Sequence, residues 1–388
     1  MTSIRNRAIS FLRLKKANYR IGNAVKKGII NIPFGPSSIN LMMIDSCNAQ
    51  CIMCGKDYQS FGTKDRLSLQ DMKTIYSHLD MRQVVDVIYG GGGEPFLNPD
   101  LARIASFTQQ HYPSVQHTVI SNFLQWKEKM VESMLQDSVH FLISVNAASR
   151  ETYKKVSGVD GFTAVTEHIR SLVRLREQVG NTVHIALSMI LMAQNIDELT
   201  DFIRLAAELG ADEVKTLYVR VYPEEYRVKK SHSGTIVPTD SLFYAQEKSD
   251  DKIREAELIA RANRIRFDHE PLFSNAKRRE RNCCEPWKSL FVNFNGDVYP
   301  CPASEILFKP KVDTGQYDTG NILKQPLSEF WNNQFWQTLR ESNRTNARKE
   351  HFAECRCCGN AINWSGSREE KAHILDWSEV RSGGVPEK

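Results

Sequence analysis

The residues of this 388-residue chain best suited to chemistry are its nine cysteines, which fall into two groups. Cys47, Cys51 and Cys54 lie within eight residues, whereas the other six cysteines all follow residue 282. An odd number of cysteines, in a chain that begins without a recognisable secretory signal, argues against a disulfide framework. We therefore expect a reducing, cytoplasmic compartment and thiols that bind metal.

The first group has a spacing suited to an incomplete metal centre. Three residues separate Cys47 from Cys51, two separate Cys51 from Cys54, and a predicted strand precedes all three. A ferredoxin-type cluster normally takes four thiolates, so three leave one iron open to a substrate or cofactor. A zinc site or a partial ferredoxin loop is the alternative explanation of this spacing.

A second signal stands at the end of the next predicted strand, where Gly90, Gly91, Gly92 and Gly93 precede Glu94-Pro95. Glycine allows the backbone to approach a ligand closely, and a carboxylate accepts charge-assisted hydrogen bonds from an ammonium group. A run of glycines in isolation is more often a flexible turn.

A three-cysteine loop followed by this glycine sequence resembles the radical S-adenosylmethionine (radical SAM) superfamily, although Met53 stands where the family usually has an aromatic residue. The resemblance implies a [4Fe–4S] cluster held by Cys47, Cys51 and Cys54, with S-adenosylmethionine bound at its open iron. It implies contacts to the methionyl amino group from Gly92, Gly93, Glu94 and Pro95. It also implies contacts to the cofactor's carboxylate and ribose from polar residues at later strand ends, namely Ser121, Asn122, Ser144, Asn146 and Ser188. Many relatives have Asp at the position of Asn146.

The second cysteine group surrounds a predicted hairpin and ends in a Cys-x-x-Cys pair, which resembles a SPASM domain or its shortened "twitch" form. No cysteine follows Cys358, which favours the shortened form with one auxiliary [4Fe–4S] cluster. The resemblance implies four ligands for this cluster, Cys284, Cys301, Cys355 and Cys358. Cys283 and Cys357 adjoin these ligands and either can replace its neighbour, and a four-cysteine zinc site is the alternative.

The elements that position these residues alternate between short apolar runs and amphipathic stretches. This alternation predicts parallel β/α units, here an α/β partial (β/α)₆ barrel, with a doubly wound sheet as the alternative. Strands are predicted near 39–45, 84–89, 116–120, 139–145, 182–191 and 213–221, with helices near 69–79, 100–111, 126–136, 161–178 and 196–209. The motifs of the first half then fall at the carboxyl ends of strands, where parallel barrels place their active sites.

We divide the chain into a basic extension (1–38), a radical SAM core (39–225), a connecting helical segment (226–282) and a small α+β auxiliary domain with a tail (283–388). The connecting segment has a predicted helix near 240–264. In the auxiliary domain, Asn295-Gly296 predicts a type I′ hairpin turn after a strand at 289–294, and apolar periodicity predicts a helix near 327–342.

The net charge of +5 is concentrated at the start of the chain. Residues 1–44 contain eight Lys or Arg and no Asp or Glu, so the remainder is slightly acidic and no nucleic-acid partner is expected. We favour a basic helix packed across the barrel, with an interfacial membrane helix or a transit peptide as alternatives. No run reaches the roughly 18 apolar residues that span a bilayer.

The resemblance implies reductive cleavage of S-adenosylmethionine to a 5′-deoxyadenosyl radical that abstracts hydrogen from a substrate, with electrons from a donor such as flavodoxin or ferredoxin. A small-molecule substrate, sugar-like or aminocyclitol-like, is favoured for oxidation or rearrangement, because only about 38 residues precede the first strand and a peptide-recognition domain needs more. The alternatives are a peptide- or protein-modifying maturase and, more remotely, a non-catalytic iron–sulfur or zinc protein.

Overall fold

The computed structural model describes residues 2–55, 65–180, 182–221, 235–274, 283–345, 352 and 355. Nine strands of these residues form one sheet in the order β7-β6-β5-β4-β3-β2-β1-β8-β9. Every pairing is parallel except that of β8 with β9. The strands are β1 (Ser38–Leu41), β2 (Asp86–Tyr89), β3 (Gln116–Ser121), β4 (His140–Ser144), β5 (Ile185–Leu191), β6 (Glu213–Tyr218), β7 (Arg266–His269), β8 (Ser289–Val292) and β9 (Val298–Tyr299).

Helices connect the parallel strands, and several have clear start or stop signals. Ser68 and Asp71 form a capping box at the start of α2, while Gly158 and Gly180 end α5 and α6 in the left-handed conformation. The helices are α1 (Thr2–Lys27), α2 (Leu69–Ser77), α3 (Leu101–His111), α4 (Glu128–Gln136), α5 (Arg150–Ser157), α6 (Phe162–Val179), α7 (Leu199–Glu208), α8 (Gln246–Ala262), α9 (Glu285–Lys288), α10 (Pro302–Asp313) and α11 (Gln334–Arg344). The predicted α/β partial barrel with a small C-terminal unit is confirmed.

The two faces of the sheet differ in burial. Side chains such as Val119, Ile143 and Leu187 point towards the helices and are fully buried in the main core. Their neighbours one position along, such as Thr118 and Ser144, line the inside of the barrel and are only partly buried. Successive strand residues face opposite sides of the sheet. The face towards the helices is therefore buried in the apolar core, and the face towards the barrel interior is partly accessible to solvent.

The sheet is wider than the six predicted strands. On one side β7, which lies in the predicted connecting segment, pairs with β6, and on the other side β8 pairs with β1. The sequence of β7, Arg-Phe-Asp-His, has four residues and little apolar alternation, so periodicity does not reveal it. The limits of the four predicted segments stay a prediction.

Two local expectations differ from the structure, and one helix of the C-terminal unit is not predicted. The hairpin turn has a positive φ at Gly296 but not at Asn295, so it is not type I′. Instead the Gly296 amide donates to the Asn293 carbonyl at 3.1 Å, as in a type I turn closed by a left-handed glycine. The helix predicted near 327–342 is a short 3₁₀ turn followed by α11, because Asn333 caps a new start. The helix α10 is absent from the prediction because Pro310 interrupts its pattern.

The basic N-terminal segment forms α1, which packs across the amino-terminal ends of the strands. The Arg13 guanidinium donates to the backbone carbonyls of Met81 and Val84, just before β2. The Ser10 hydroxyl donates to the carbonyl of Ser114, just before β3, at 2.6 Å. The described helices include none both long and apolar enough to cross a membrane.

A linker of residues 28–36 joins α1 to β1 and is held by the auxiliary domain. The Trp287 and Trp331 indoles each donate to its backbone, to the carbonyls of Ile29 and Phe34, at 2.9 Å. Arg340 is fully buried between these parts, donates to the Ile30 carbonyl at 2.9 Å and stacks on two indole rings. Desolvation lowers the pKa of this guanidinium to about 9.

Candidate active site

The cysteine loop, residues 47–54, follows β1 and lies against the end of α5. The backbone amides of Gln50 and Ile52 donate to the carbonyls of Ser157 and Val156, each at 2.9 Å. The Cys54 amide closes the loop on the Cys51 carbonyl at 3.0 Å. The position of the loop is therefore set by backbone hydrogen bonds to α5, a helix that the sequence-based assignment does not contain.

The three thiols lie close enough to affect one another's ionisation. Burial raises the pKa of Cys47 to about 12, with a further contribution from the Glu94 carboxylate. The pKa of Cys51 is also raised, first by burial and then by the neighbouring Cys54 and Cys47. Thiolates in this loop therefore need a strong positive partner, which a bound metal centre supplies.

The glycine run, residues 90–93, is pressed against the start of the cysteine loop. Gly93 has a φ of +66°, and a Cβ placed there would lie 2.0 Å from the Ile44 carbonyl oxygen. A Cβ on Gly92 would lie 3.0 Å from the sulfur of Met42. The Glu94 amide then donates to the Ser46 carbonyl at 2.7 Å. Glycine is required at position 93 both by its conformation and by the close approach.

Glu94 is buried and joins the ends of β2 and β3. Its carboxylate accepts hydrogen bonds from the Ser121 hydroxyl at 2.7 Å, the Asn122 amide at 2.8 Å and the Phe96 amide at 3.0 Å. Desolvation raises its pKa, and these donors together with Lys127 oppose that shift. A carboxylate has about four acceptor sites, so three bonds leave capacity for one further donor.

Asn122 connects this carboxylate to the cysteine loop. Its side-chain amide donates to Asn48 Oδ1 at 2.8 Å and to the sulfur of Cys47 at 3.6 Å. Three predicted site residues, Glu94, Asn122 and Cys47, are thus linked by one chain of hydrogen bonds.

The predicted residues on β4 and β5 also come together. Ser144 and Ser188 are register partners, and the Ser188 hydroxyl donates to Ser144 Oγ at 3.3 Å. Asn146 has a φ of +63°, and its side-chain oxygen accepts the Ile190 amide at 2.8 Å. Asn195, which the sequence did not indicate, donates to the Asn146 carbonyl at 3.0 Å. Asn146 therefore fixes the ends of β4 and β5, which an Asn tolerates because it adopts the left-handed region readily.

Ser144, Ser188, Lys215 and Asp268 lie side by side on four neighbouring strands, on the face towards the barrel interior, and we call them the interior row. The register aligns Ser144 with Ser188, Ser188 with Lys215, and Lys215 with Asp268. Lys215 and Asp268 form an ion pair at 3.3 Å, and their side chains remain 40% and 43% exposed. Sequence reasoning missed both residues. The alternation of β6 places Lys215 inside the barrel, whereas Asp268 gives no signal without β7.

The second cysteine group is distributed over separate elements. Cys284 directly precedes α9, and Cys301 directly precedes α10, where its amide donates to the Ser304 hydroxyl at 3.0 Å. The Cys355 amide donates to the carbonyl of Phe352, whose ring packs among aromatic side chains of α10 and α11. Cys357 and Cys358 lie outside the described residues, so the choice between neighbouring cysteines stays a prediction.

No three His, Cys, Asp or Glu side chains in the described part of the chain are grouped as ligands of a single metal ion. In a four-iron cluster each thiolate binds a different iron, so its ligands do not share one centre. The donor set of the cysteine loop fits such a cluster, since it offers three thiols and an N–H group directed at one of the sulfurs.

Two family models match the chain, one over residues 41–220 and one over residues 283–359. The first describes the radical SAM superfamily, and the second describes the SPASM iron–sulfur cluster-binding domain. The chain belongs to the radical SAM superfamily. As a radical SAM enzyme it uses a [4Fe–4S] cluster and S-adenosylmethionine, and it carries a C-terminal SPASM domain.

Curated relatives of this radical SAM enzyme differ in how much of it they match. A probable GTP 3′,8-cyclase of Saccharolobus islandicus is 29% identical over 177 residues, which is 45% of this chain and 54% of the relative. The match thus spans about half the length of that relative. The PqqA peptide cyclase of Gluconobacter oxydans is 22% identical over 350 residues, which is 86% of this chain and 90% of the relative.

Solved structures share its fold. SuiB of Streptococcus suis bound to precursor peptide SuiA has a TM-score of 0.63 at 15% identity and covers 90% of this chain and 74% of SuiB. Native anSMEcpe with bound AdoMet has a TM-score of 0.60 at 14% identity and covers 89% of this chain and 98% of its own. At these identities the likeness concerns the fold alone.

Proposed function

We propose that this radical SAM enzyme binds S-adenosylmethionine where the cysteine loop meets the glycine run and the carboxyl ends of β3 to β5, and abstracts hydrogen from a substrate held inside the barrel. The observation that carries this proposal is the hydrogen-bond chain from Glu94 through Asn122 to Cys47. It joins the predicted binding site for the methionyl group to a predicted cluster ligand.

Cys47, Cys51 and Cys54 would hold the first cluster. When bound, that cluster supplies the electron that divides S-adenosylmethionine into methionine and a 5′-deoxyadenosyl radical, which takes hydrogen from the substrate. The backbone around Gly92 and Gly93 allows the amino acid end of the cofactor to approach closely.

The remaining predicted contacts have two different tasks in this proposal. Glu94 offers its remaining acceptor site to the ammonium group of the cofactor. Ser121 and Asn122 hold the Glu94 carboxylate in position. On the next two strands, Ser144 and Ser188 offer hydroxyls to the ribose, and Asn146 fixes the strand ends that carry them.

The SPASM domain would hold an auxiliary [4Fe–4S] cluster through Cys284, Cys301, Cys355 and Cys358. If all four ligands come from the protein, no iron of this cluster is open to substrate, so its role is electron transfer or support of the domain. Flavodoxin or ferredoxin is the proposed physiological electron donor.

For the substrate, a peptide is the better supported class, because a relative that matches 86% of this chain is named a peptide cyclase. A small molecule, oxidised or rearranged, is the second candidate. The higher identity of the core to a probable GTP cyclase supports it. In both cases the interior row offers the charged pair Lys215 and Asp268 beside the serines of the cofactor site.

The test is anaerobic reconstitution followed by reduction with dithionite in the presence of S-adenosylmethionine. We expect about eight irons per chain, as two four-iron clusters require, and formation of 5′-deoxyadenosine. About four irons would remove the auxiliary cluster from the proposal. A loaded protein that forms no 5′-deoxyadenosine would instead support a non-catalytic iron–sulfur or zinc protein.

Deuterium tracing can separate the two substrate classes. An extract of the source organism grown in heavy water is divided by ultrafiltration and digestion into a small-molecule fraction and a peptide fraction. We expect deuterium in 5′-deoxyadenosine with the peptide fraction and not with the small molecules, and the Cys51→Ser variant serves as the control. Transfer from the small-molecule fraction alone would contradict the peptide proposal.

A further inference from the structure

Exposed apolar side chains are concentrated on α1. Among the described residues, nine large hydrophobic side chains are exposed, and five of them belong to this one helix. The most exposed of these five are Phe11 at 55%, Leu12 at 64% and Tyr19 at 78%. Single exposed hydrophobic residues are common on protein surfaces, but such a group on one helix marks an interaction surface.

The three most exposed of these residues share one side of α1. Phe11, Lys15 and Tyr19 are four residues apart, so they lie one above another, and Leu12 and Lys16 form the adjoining row. We call these five residues the exposed face of α1. The opposite side is packed, since Ala17, Ile21 and Ala24 are buried.

The positive charges of α1 are divided between its two sides. Arg13 and Arg20 are turned towards the protein, where they contact backbone carbonyls and the ring of Phe34 respectively. The lysines are exposed, and the Lys15 ammonium lies 4.5 Å from the centre of the Phe11 ring. No acidic residue occurs before Asp45. The exposed face is therefore both apolar and purely cationic.

We propose that the exposed face of α1 binds the surface of an anionic lipid bilayer. A helix that lies in a membrane interface combines bulky apolar side chains with lysines, as this face does. Lysine stems extend along apolar surface and bring their ammonium groups to lipid phosphates, while tyrosine favours the headgroup level. A nucleic acid would match the charge but leave Phe11 and Leu12 without an apolar environment.

The position of α1 is compatible with catalysis at a membrane surface. Arg13 and Ser10 fix the helix beside residues that precede β2 and β3, at the amino-terminal edge of the sheet. The cysteine loop follows the carboxyl end of β1, and the glycine run follows the carboxyl end of β2, which pairs with β1 in parallel. A bilayer against α1 therefore leaves the active-site end uncovered.

The experiment is sedimentation of the reconstituted full chain with vesicles, either of phosphatidylcholine alone or of equal parts phosphatidylcholine and phosphatidylglycerol. We expect binding to the anionic vesicles only, weakened by salt because part of the attraction is electrostatic. Lys15→Gln with Lys16→Gln should reduce binding about 25-fold, because each lysine contributes roughly fivefold. Leu12→Ser with Tyr19→Ser should reduce it to a similar degree.

The matched control is Lys129→Gln with Leu258→Ser, which changes one exposed lysine and one equally exposed leucine on other helices. The control should bind like the unchanged chain. The proposal is wrong if the anionic vesicles do not sediment the protein, or if the control loses binding equally. Soluble polyglutamate is a second probe. If it competes fully and the Leu12 and Tyr19 changes have no effect, an acidic polypeptide is the partner instead.

Discussion

The two cysteine regions of this enzyme are built in opposite ways. The three thiols of the cysteine loop lie within eight residues, and the backbone of α5, Asn122 and the glycine run hold the loop in place. The proposed auxiliary ligands extend from Cys284 to Cys358, and those described belong to separate elements. In the proposed function, ligation of the first cluster depends on one loop, whereas ligation of the second depends on the fold of a whole domain.

This contrast also separates two functions. In the proposed function, the three thiols leave one iron for the cofactor, so the geometry of the cysteine loop must be fixed relative to the glycine run. A cluster with four protein ligands has no iron that must remain accessible to a cofactor. Substitutions in the two regions should accordingly differ in kind as well as in size.

The largest effect is expected from removal of one ligand in each region. Cys51→Ser should abolish the first cluster and all cleavage of S-adenosylmethionine, because the loop has no spare thiol. Cys301→Ser should remove the auxiliary cluster and leave reductive cleavage within about threefold, because that site does not bind the cofactor. Iron counting and 5′-deoxyadenosine formation by anaerobic preparations measure both effects.

The same pair of variants can contradict the comparison. About four irons per chain should remain in each, since the clusters are loaded independently. Loss of both clusters in Cys51→Ser would show that the auxiliary domain depends on the first site. Complete loss of cleavage in Cys301→Ser, with the first cluster present, would show the reverse dependence.

The next effect concerns the fit between the glycine run and the cysteine loop. Gly93→Ala should destabilise the fold by about 2–4 kcal/mol and strongly weaken cofactor binding, because its Cβ would overlap the Ile44 carbonyl. Gly180→Ala is the matched control. It has the same φ of +66° with nothing within 4 Å of the added Cβ, so it should cost only about 1 kcal/mol.

Chemical unfolding and equilibrium binding of S-adenosylmethionine measure these outcomes. Equal destabilisation by the two alanine variants would mean that backbone conformation accounts for the effect and that the close approach to Ile44 does not. Only the Gly93 variant should change cofactor affinity.

The smallest effect concerns the reduction potential of the first cluster. Asn122→Ala removes the side-chain N–H group that donates a hydrogen bond to the Cys47 sulfur. Hydrogen bonds to sulfur stabilise the more negative, reduced cluster. We expect a potential lower by roughly 40 mV, which corresponds to about 1 kcal/mol for one electron. Potentiometric titration followed by electron paramagnetic resonance measures it.

Asn48→Ala is the control for that shift, because it removes the other partner of Asn122 and keeps the N–H group near Cys47. An unchanged potential in Asn122→Ala would show that the bond to sulfur has no electronic effect in the loaded enzyme.

Much of the fold could be predicted because the core repeats a simple pattern. The six predicted strands all exist, since buried parallel strands are apolar runs and amphipathic helices separate them. The strand β7 and the helix α5 could not be found, because both are short and polar. The strand β7 is stabilised by pairing with β6, and α5 is stabilised by hydrogen bonds from the cysteine loop.

The sequence could indicate candidate positions for the site but not their geometry. The spacing of the cysteines and the sequence Gly-Gly-Glu-Pro indicate which residues meet, because both are local signals. Sequence does not show that the Glu94 carboxylate accepts three hydrogen bonds or that Asn146 fixes a strand end. Most of these contacts join residues far apart in the chain. Lys215 and Asp268 meet only through the register of β6 and β7.

The pairing of β1 with β8 has a consequence during synthesis of the protein. Ser38 lies beside Ser289, so one edge of the radical SAM core is completed by a strand made about 250 residues later. At ribosomal rates of about 5–20 residues per second, β1 waits on the order of 10–50 s for this neighbour. During that time β1 can pair with β2 but exposes an open strand edge, which is a template for aggregation. A nascent chain that stalls before residue 289 is therefore a natural client for a molecular chaperone.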